Sequence, residues 1–409
     1  MLVKVVSLSV LIGATSVVNG MAAVNRALSV ITEVNGKAVS VPVVTTASNS
    51  SITVTFDLDE PDMRYLAASV TALNPDGTLS RMTPDEYLDS FNRADVTDAD
   101  FSQATLSHYT NYRFTLSRDN LMPSLSGLFR LDFVDTDNIS DTVLSVPFYM
   151  VVPLASIDHT LSPVTDISYN NGQRQLTLTC DLAGRFHSLD PDNLSLTVMI
   201  DGRTAASAVK PSAIHGNKVG FNHLKELIFD NGNNWRRFDM TDTDYPGHGI
   251  TDIITTHDGN HRFLLNRDTP RALTSYMTDG TMFGGFTVAN RLIPDNPVTG
   301  SEYCDVVFTL DMPFRPLDPV AVEGDFTRYM PGGVLAMSFN SFTGLYEATA
   351  RLKQGVYNYR YLSGQPLSPT SIEGNFNETP ARFDLLLFYK SPVERYPALI
   401  GHKSFTCQL

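Results

Sequence analysis

Apolar and polar side chains alternate one by one over much of this chain, and a period of two leaves the half-buried β-strand as the conformation that sorts them. Ile52, Val54 and Phe56 alternate with Thr53 and Thr55; Tyr112, Phe114 and Leu116 with Arg113, Thr115 and Ser117; Phe129, Leu131 and Phe133 with Arg130 and Asp132. Leu194, Leu196, Val198 and Ile200 do the same, as do Tyr346, Ala348, Ala350 and Leu352. Each run predicts a strand with one dry and one wet face. Asn35-Gly36, Asn171-Gly172 and Asp201-Gly202 are dipeptides that favour the positive φ angles of hairpin turns. Short strands punctuated in this way predict an all-β fold of tandem, immunoglobulin-like β-sandwiches. The run Phe383 to Tyr389, apolar but for Asp384 and set between Pro380 and Pro392, reads as a buried strand and as the last core strand.

A length of 409 residues suggests about three domains. Met1 to Ala23 carries Lys4, an apolar stretch from Val5 to Val18 and small residues, the pattern of a secretory signal peptide. The mature chain is then expected to divide into an N-terminal sandwich (24–152), a middle sandwich (153–312) and a C-terminal one (313–409), with proline-rich punctuation at Pro147 to Pro153 and Pro313 to Pro319. No other apolar run is long enough to span a bilayer as a helix.

Lys plus Arg number 30 against 44 Asp plus Glu, a net charge of −14 that argues against nucleic acid or anionic lipid as partners. Residues 25–152 hold 8 bases against 17 acids, so the acidity is concentrated in the first domain. Three widely spaced cysteines, Cys180, Cys304 and Cys407, form no disulfide framework and are expected to be isolated buried thiols. Thr83 to Phe91 is expected to form one capped helical turn, and the acids behind it (Asp95, Asp98, Asp100) lack the ligand spacing of a calcium loop. His257 and His261 flank an Asp-Gly turn rather than a helix, so no metal site is expected there. None of the common nucleophile, metalloprotease or phosphate-binding motifs occurs; neither catalysis nor a cofactor is expected.

The candidate contact residues are few. Trp235 is the sole tryptophan, and with Arg236, Arg237 and Phe238 it could form a recognition hot spot or, equally, an arginine stacked on the indole at a sandwich rim with Asp239 as ion partner. In the third unit Val322-Glu323-Gly324-Asp325-Phe326 and Gly355-Val356-Tyr357-Asn358-Tyr359-Arg360-Tyr361 resemble starch- and glycogen-binding modules, which implies an exported α-glucan-binding protein as an alternative reading; no Trp follows Pro319. The Arg395-Tyr396 pair after Phe383 to Tyr389 is expected to fold back as a clasp, or else to face a partner.

A resemblance of wider extent joins these pieces. The Asn35-Gly36 hairpin, Thr83 to Phe91, His108-Tyr109-Thr110-Asn111-Tyr112, Ser126-Gly127, Arg236 to Asp239, Lys353 to Tyr361 with Tyr359, and Glu373-Gly374-Asn375 through Arg395-Tyr396 to Gly401 together resemble the Plug subunit of the type 9 secretion system. Leu128 and Pro397 depart from the family pattern. The resemblance implies a non-enzymatic, monomeric periplasmic protein that docks under a giant outer-membrane β-barrel translocon, closes its periplasmic mouth and serves secretion and gliding motility.

Overall fold

The computed structural model describes residues 26–139, 141–169, 172–182, 190–278 and 280–407; the expected signal peptide and Asn171 lie outside them. The alternating runs form the strands they predict, and strand outweighs helix 47% to 6%. Among the described residues, six sheets pack in pairs as three sandwiches.

In the first sandwich, Asn35 (φ 51°) and Gly36 (φ 76°) turn Leu28–Val34 back on Lys37–Ala38. The returning strand is two residues long, because the chain then crosses to the second sheet, where Val43–Thr45 runs parallel to Thr142–Val151. Strands Ile52–Leu58 and Thr110–Leu116 turn Phe56 and Tyr112 onto Phe133 and Leu131 of Gly127–Asp135, closing one core. Pro84–Tyr87 is the expected helical turn, with the Glu86 carboxylate accepting from the Thr83 N–H at 2.7 Å. Asp95, Asp98 and Asp100 sit in two short edge strands, Ala94–Val96 and Asp98–Phe101. Cys180 and Cys304 are buried and Cys407 partly so, all three as free thiols; burial pushes the Cys180 thiol up to about 12.

The sheets do not divide at 312/313. Phe383 to Tyr389, within strand Ala381–Tyr389, pairs on one side with Leu194–Ile200 and on the other with Ala398–Cys407. The middle sandwich therefore takes half of one sheet from the C-terminal end of the chain, and its core joins Leu176, Leu178 and Val219 to Phe383, Leu385 and Leu387. The third sandwich, from Arg236 to Glu373, is inserted within the second, with its core on Phe238, Phe308, Tyr357 and Tyr361. The chain leaves and returns at one place, where the Phe376 N–H donates to Gly232 O at 2.8 Å, so the insertion leaves the host intact.

Nor is Phe383 to Tyr389 the last core strand. Ala398–Cys407 follows and buries Leu399 and Ile400. The near-unbroken apolar run has its reason in this arrangement. Leu385 and Leu387 face the middle core, whereas Leu386 and Phe388 face the first domain and pack with Val41, Leu73, Leu128 and Tyr149. A strand between two apolar layers has no wet face to alternate with.

Candidate functional site

Arg236–Asp239 lies antiparallel to Gly355–Ser363, with Arg236 opposite Tyr359 and Phe238 opposite Tyr357. Phe238 is fully buried and stacks on Tyr357 at 5.1 Å. Arg236 points the other way, into a closed set of charges. Its Nε donates to Glu373 at 3.0 Å, its Nη1 to Asp268 at 2.6 Å and its Nη2 to Thr269 O. Arg271 approaches the same Glu373 at 2.7 Å, the Tyr361 N–H donates to it at 2.9 Å, and the Tyr359 and Tyr361 hydroxyls close on Asp268. Glu373 is 1% exposed; burial alone would raise its carboxyl, but Arg236 and Arg271 override it and hold the group below the usual carboxylate range. Gly374 (φ 89°) ends the helical turn Thr370–Glu373 where a Cβ would stand 2.8 Å from the Phe376 ring and 2.9 Å from Ala272 Cα, so only glycine passes. Asn375 then accepts from the Gly232 N–H at 2.7 Å and seals the exit and return of the insertion.

Trp235 is 3% exposed and marks the meeting point of all three domains. Its Nε1 donates to Asp201 at 3.0 Å, and the guanidinium groups of Arg203 and Arg360 lie over its ring, 5.2 and 4.3 Å from the centroid. Both arginines pair with Glu323, at 2.8 and 2.6 Å. Beside them Asp325 binds Arg328 at 2.7 Å and accepts from Ser40 Oγ of the first domain at 2.8 Å, while Arg328 donates to Gly202 O. A Cβ on Gly202 would fall 2.5 Å from Ser40 Cβ. The expected indole–arginine stack thus exists but draws its arginines from other strands, and the carboxylates of Arg236 are Asp268 and Glu373 rather than Asp239. Arg237 is half-buried with its Nε unpartnered among the described residues.

A second junction joins the first and third domains. Lys353 Nζ meets Asp57 at 2.6 Å, both side chains at most 2% exposed. The Tyr303 hydroxyl donates to Asp57 at 2.6 Å, Asn111 to its other oxygen at 2.7 Å, and the Tyr109 ring stands edge-on to Tyr303 under the Lys353 ammonium. Glu302 caps the Leu106 and Ser107 N–H groups at 2.6 and 3.0 Å. Burial lowers the Lys353 ammonium's pKa, a shift that Asp57 opposes.

At the tail, Arg395 is 76% exposed and reaches Glu86 only at 3.7 Å, whereas Tyr396 packs against the middle core. The residues that suggested a sugar site turn inward: Phe326 stacks on Phe308 and Asp325 is part of the Trp235 junction. Asp57, Asp268, Arg271, Glu302 and Tyr303 were not singled out from sequence, and Glu323 only within the motif that resembles a sugar-binding module. The available signal was a charge set inside an apolar strand, as in Val320–Glu323, or on the wet face of Ile52–Leu58, which the third domain covers.

These features define a protein of tandem β-sandwiches whose signature residues bind its own domains together. Residues 28–152 match the family described as "Type 9 secretion system plug protein 1st domain", which places the N-terminal domain in the type 9 secretion system plug family. A crystal structure of a hypothetical protein from Parabacteroides merdae shares the fold over 94% of this chain and 98% of its own, at 26% identity and TM-score 0.89. The collagen adhesin of S. aureus aligns over 94% and 92% at 8% identity, with a TM-score of only 0.13. No curated protein matches the chain. The family match supports a role in type 9 secretion and an envelope location. Among the described residues no helix is long and apolar enough to cross a membrane.

Proposed function

We propose that this protein is the plug of the secretion system: a non-enzymatic periplasmic subunit that binds the outer-membrane translocon barrel and closes its periplasmic opening. The match of residues 28–152 carries the reading. The two buried-charge junctions support it, because a stopper for a wide pore must resist deformation. Three sandwiches tied by Asp57–Lys353, Asp325–Ser40 and the charges around Trp235 present one stiff body. The test is recovery of the partner. Full-length tagged protein, expressed in its own cells and purified from detergent-solubilised envelopes, should bring down a large outer-membrane β-barrel, identified by mass spectrometry. Recovery of no such barrel overturns the proposal.

A further inference from the structure

Both sheets of the first sandwich end on one side of it, in consecutive strands: Ala94–Val96 is the outermost strand of one sheet and Asp98–Phe101 of the other, with Thr97 between them. The backbone groups on the outer side of such a rim are a template for an added strand. The rim is strongly anionic. Residues 85–101 hold six carboxylates against one arginine, and Asp85, Asp89, Asp95, Asp98 and Asp100 are all exposed. Arg93 reaches Asp95 only at 3.9 Å; Arg113 stands opposite Asp98 in register, yet among the described residues neither Asp98 nor Asp100 makes a salt bridge. Apolar side chains flank the acids, with Phe91 93% exposed before them and Phe101 and Leu106, 54% and 56% exposed, after. The rim stops where the Gln103 N–H donates to Thr299 O at 2.8 Å, against the third domain. Two other edges lack this combination. Lys37–Ala38 has two residues and a lysine, and Arg203–Val209 carries register shifts and a left-handed Ala208 (φ 55°).

We infer that this rim is the docking edge, and that its occupant is an extended, lysine- or arginine-rich segment of the outer-membrane partner, laid along Asp98–Phe101 with apolar contacts at Phe91 and Phe101. The charge selects a basic partner, the edge supplies main-chain hydrogen bonds, and the phenylalanines supply contact area that survives salt. The inference rests on the plug reading above and names the surface that would perform it.

Replacing Asp95, Asp98 and Asp100 together by lysine separates two roles for these acids. Lysine guards a strand edge against self-pairing as well as aspartate does, but it repels a basic segment. In the pull-down from envelopes, the D95K/D98K/D100K chain should recover the barrel at least about tenfold less than the unaltered chain, and Phe91→Ser, at a site outside the core, should weaken recovery too. Reversing Asp158, Asp192 and Asp318, exposed acids of the middle and third sandwiches, should leave it unchanged. If the unaltered chain recovers the barrel and both rim variants recover it equally well, the rim is not the docking edge. The same conclusion follows if the two sets of reversals lower recovery alike. If the unaltered chain recovers no barrel, it is the plug reading that fails.

Discussion

Glu373 shows what one residue does in this molecule. Its buried carboxylate is the shared counterion of Arg236 and Arg271 and the acceptor for the Tyr361 N–H. Glu373→Gln keeps the shape but leaves the largely buried Arg236 and the partly exposed Arg271 short of charge, and should lower stability by about 3–5 kcal/mol in denaturant unfolding at pH 7. The pH dependence has a definite sign. Glu373, Glu323 and Asp325 are all held below their usual range in the fold. A depressed folded pKa contributes stability that is fully present above the unfolded value, near 4, and is lost as pH falls through the folded value. Unfolding free energy should therefore decline from about pH 5 downward, and E373Q should show a shallower decline than the unaltered chain. An equal slope in both would remove Glu373 from the account. Arg395, by contrast, is a surface residue with a distant partner, so Arg395→Ala should leave the melting temperature unchanged. Tyr396→Ala, which uncovers the middle core, should lower stability by about 1–3 kcal/mol. Of the two residues expected to form a clasp, only the tyrosine has the packing for it.

Among elements, strand Ala381–Tyr389 ties two domains together: it has a strand on each side, the middle core on one face and the first domain on the other. Leu386→Ala, on the interdomain face, should cost about 2–5 kcal/mol, as an unfilled buried cavity does, and a melt within error of the unaltered chain would show that the contact with the first domain is loose. The strands themselves were legible in the sequence, because each sandwich has a dry and a wet side and alternation records that directly. Their grouping was not. Nothing in Leu194–Ile200 marks its partner as Ala381–Tyr389 rather than a nearer strand, since sheet pairing is set by burial across the whole fold and not by local pattern. The buried charges were hidden for the same reason: Asp57 follows the wet phase of Ile52–Leu58, and only the arrival of the third domain makes that face dry. In the third sandwich, with Phe326 and Asp325 turned inward and the sole tryptophan at the domain junction, titration of the full chain with maltoheptaose should give no heat of binding. Micromolar affinity would restore the carbohydrate reading.

At the scale of the whole molecule, the junctions should make three cores unfold as one thermodynamic unit. Scanning calorimetry should give a single transition with equal calorimetric and van't Hoff enthalpies. Lys353→Met, which leaves Asp57 buried without its cation, should separate the melting of the first domain from the other two. One sharp transition in that variant would assign the coupling to Leu386, Phe388 and their apolar contacts instead. The inserted arrangement also sets a timetable for folding. A chain delivered from its N-terminus can complete the first sandwich as soon as Thr142–Val151 has arrived, but Leu194–Ile200 must wait with an open side until residues 201–380 have passed and Ala381–Tyr389 follows. The first domain is therefore born finished and the middle one is born last, after the domain it encloses. During that interval the half-built sheet is the exposed, adhesive part of the molecule, and a holding chaperone would find its client there.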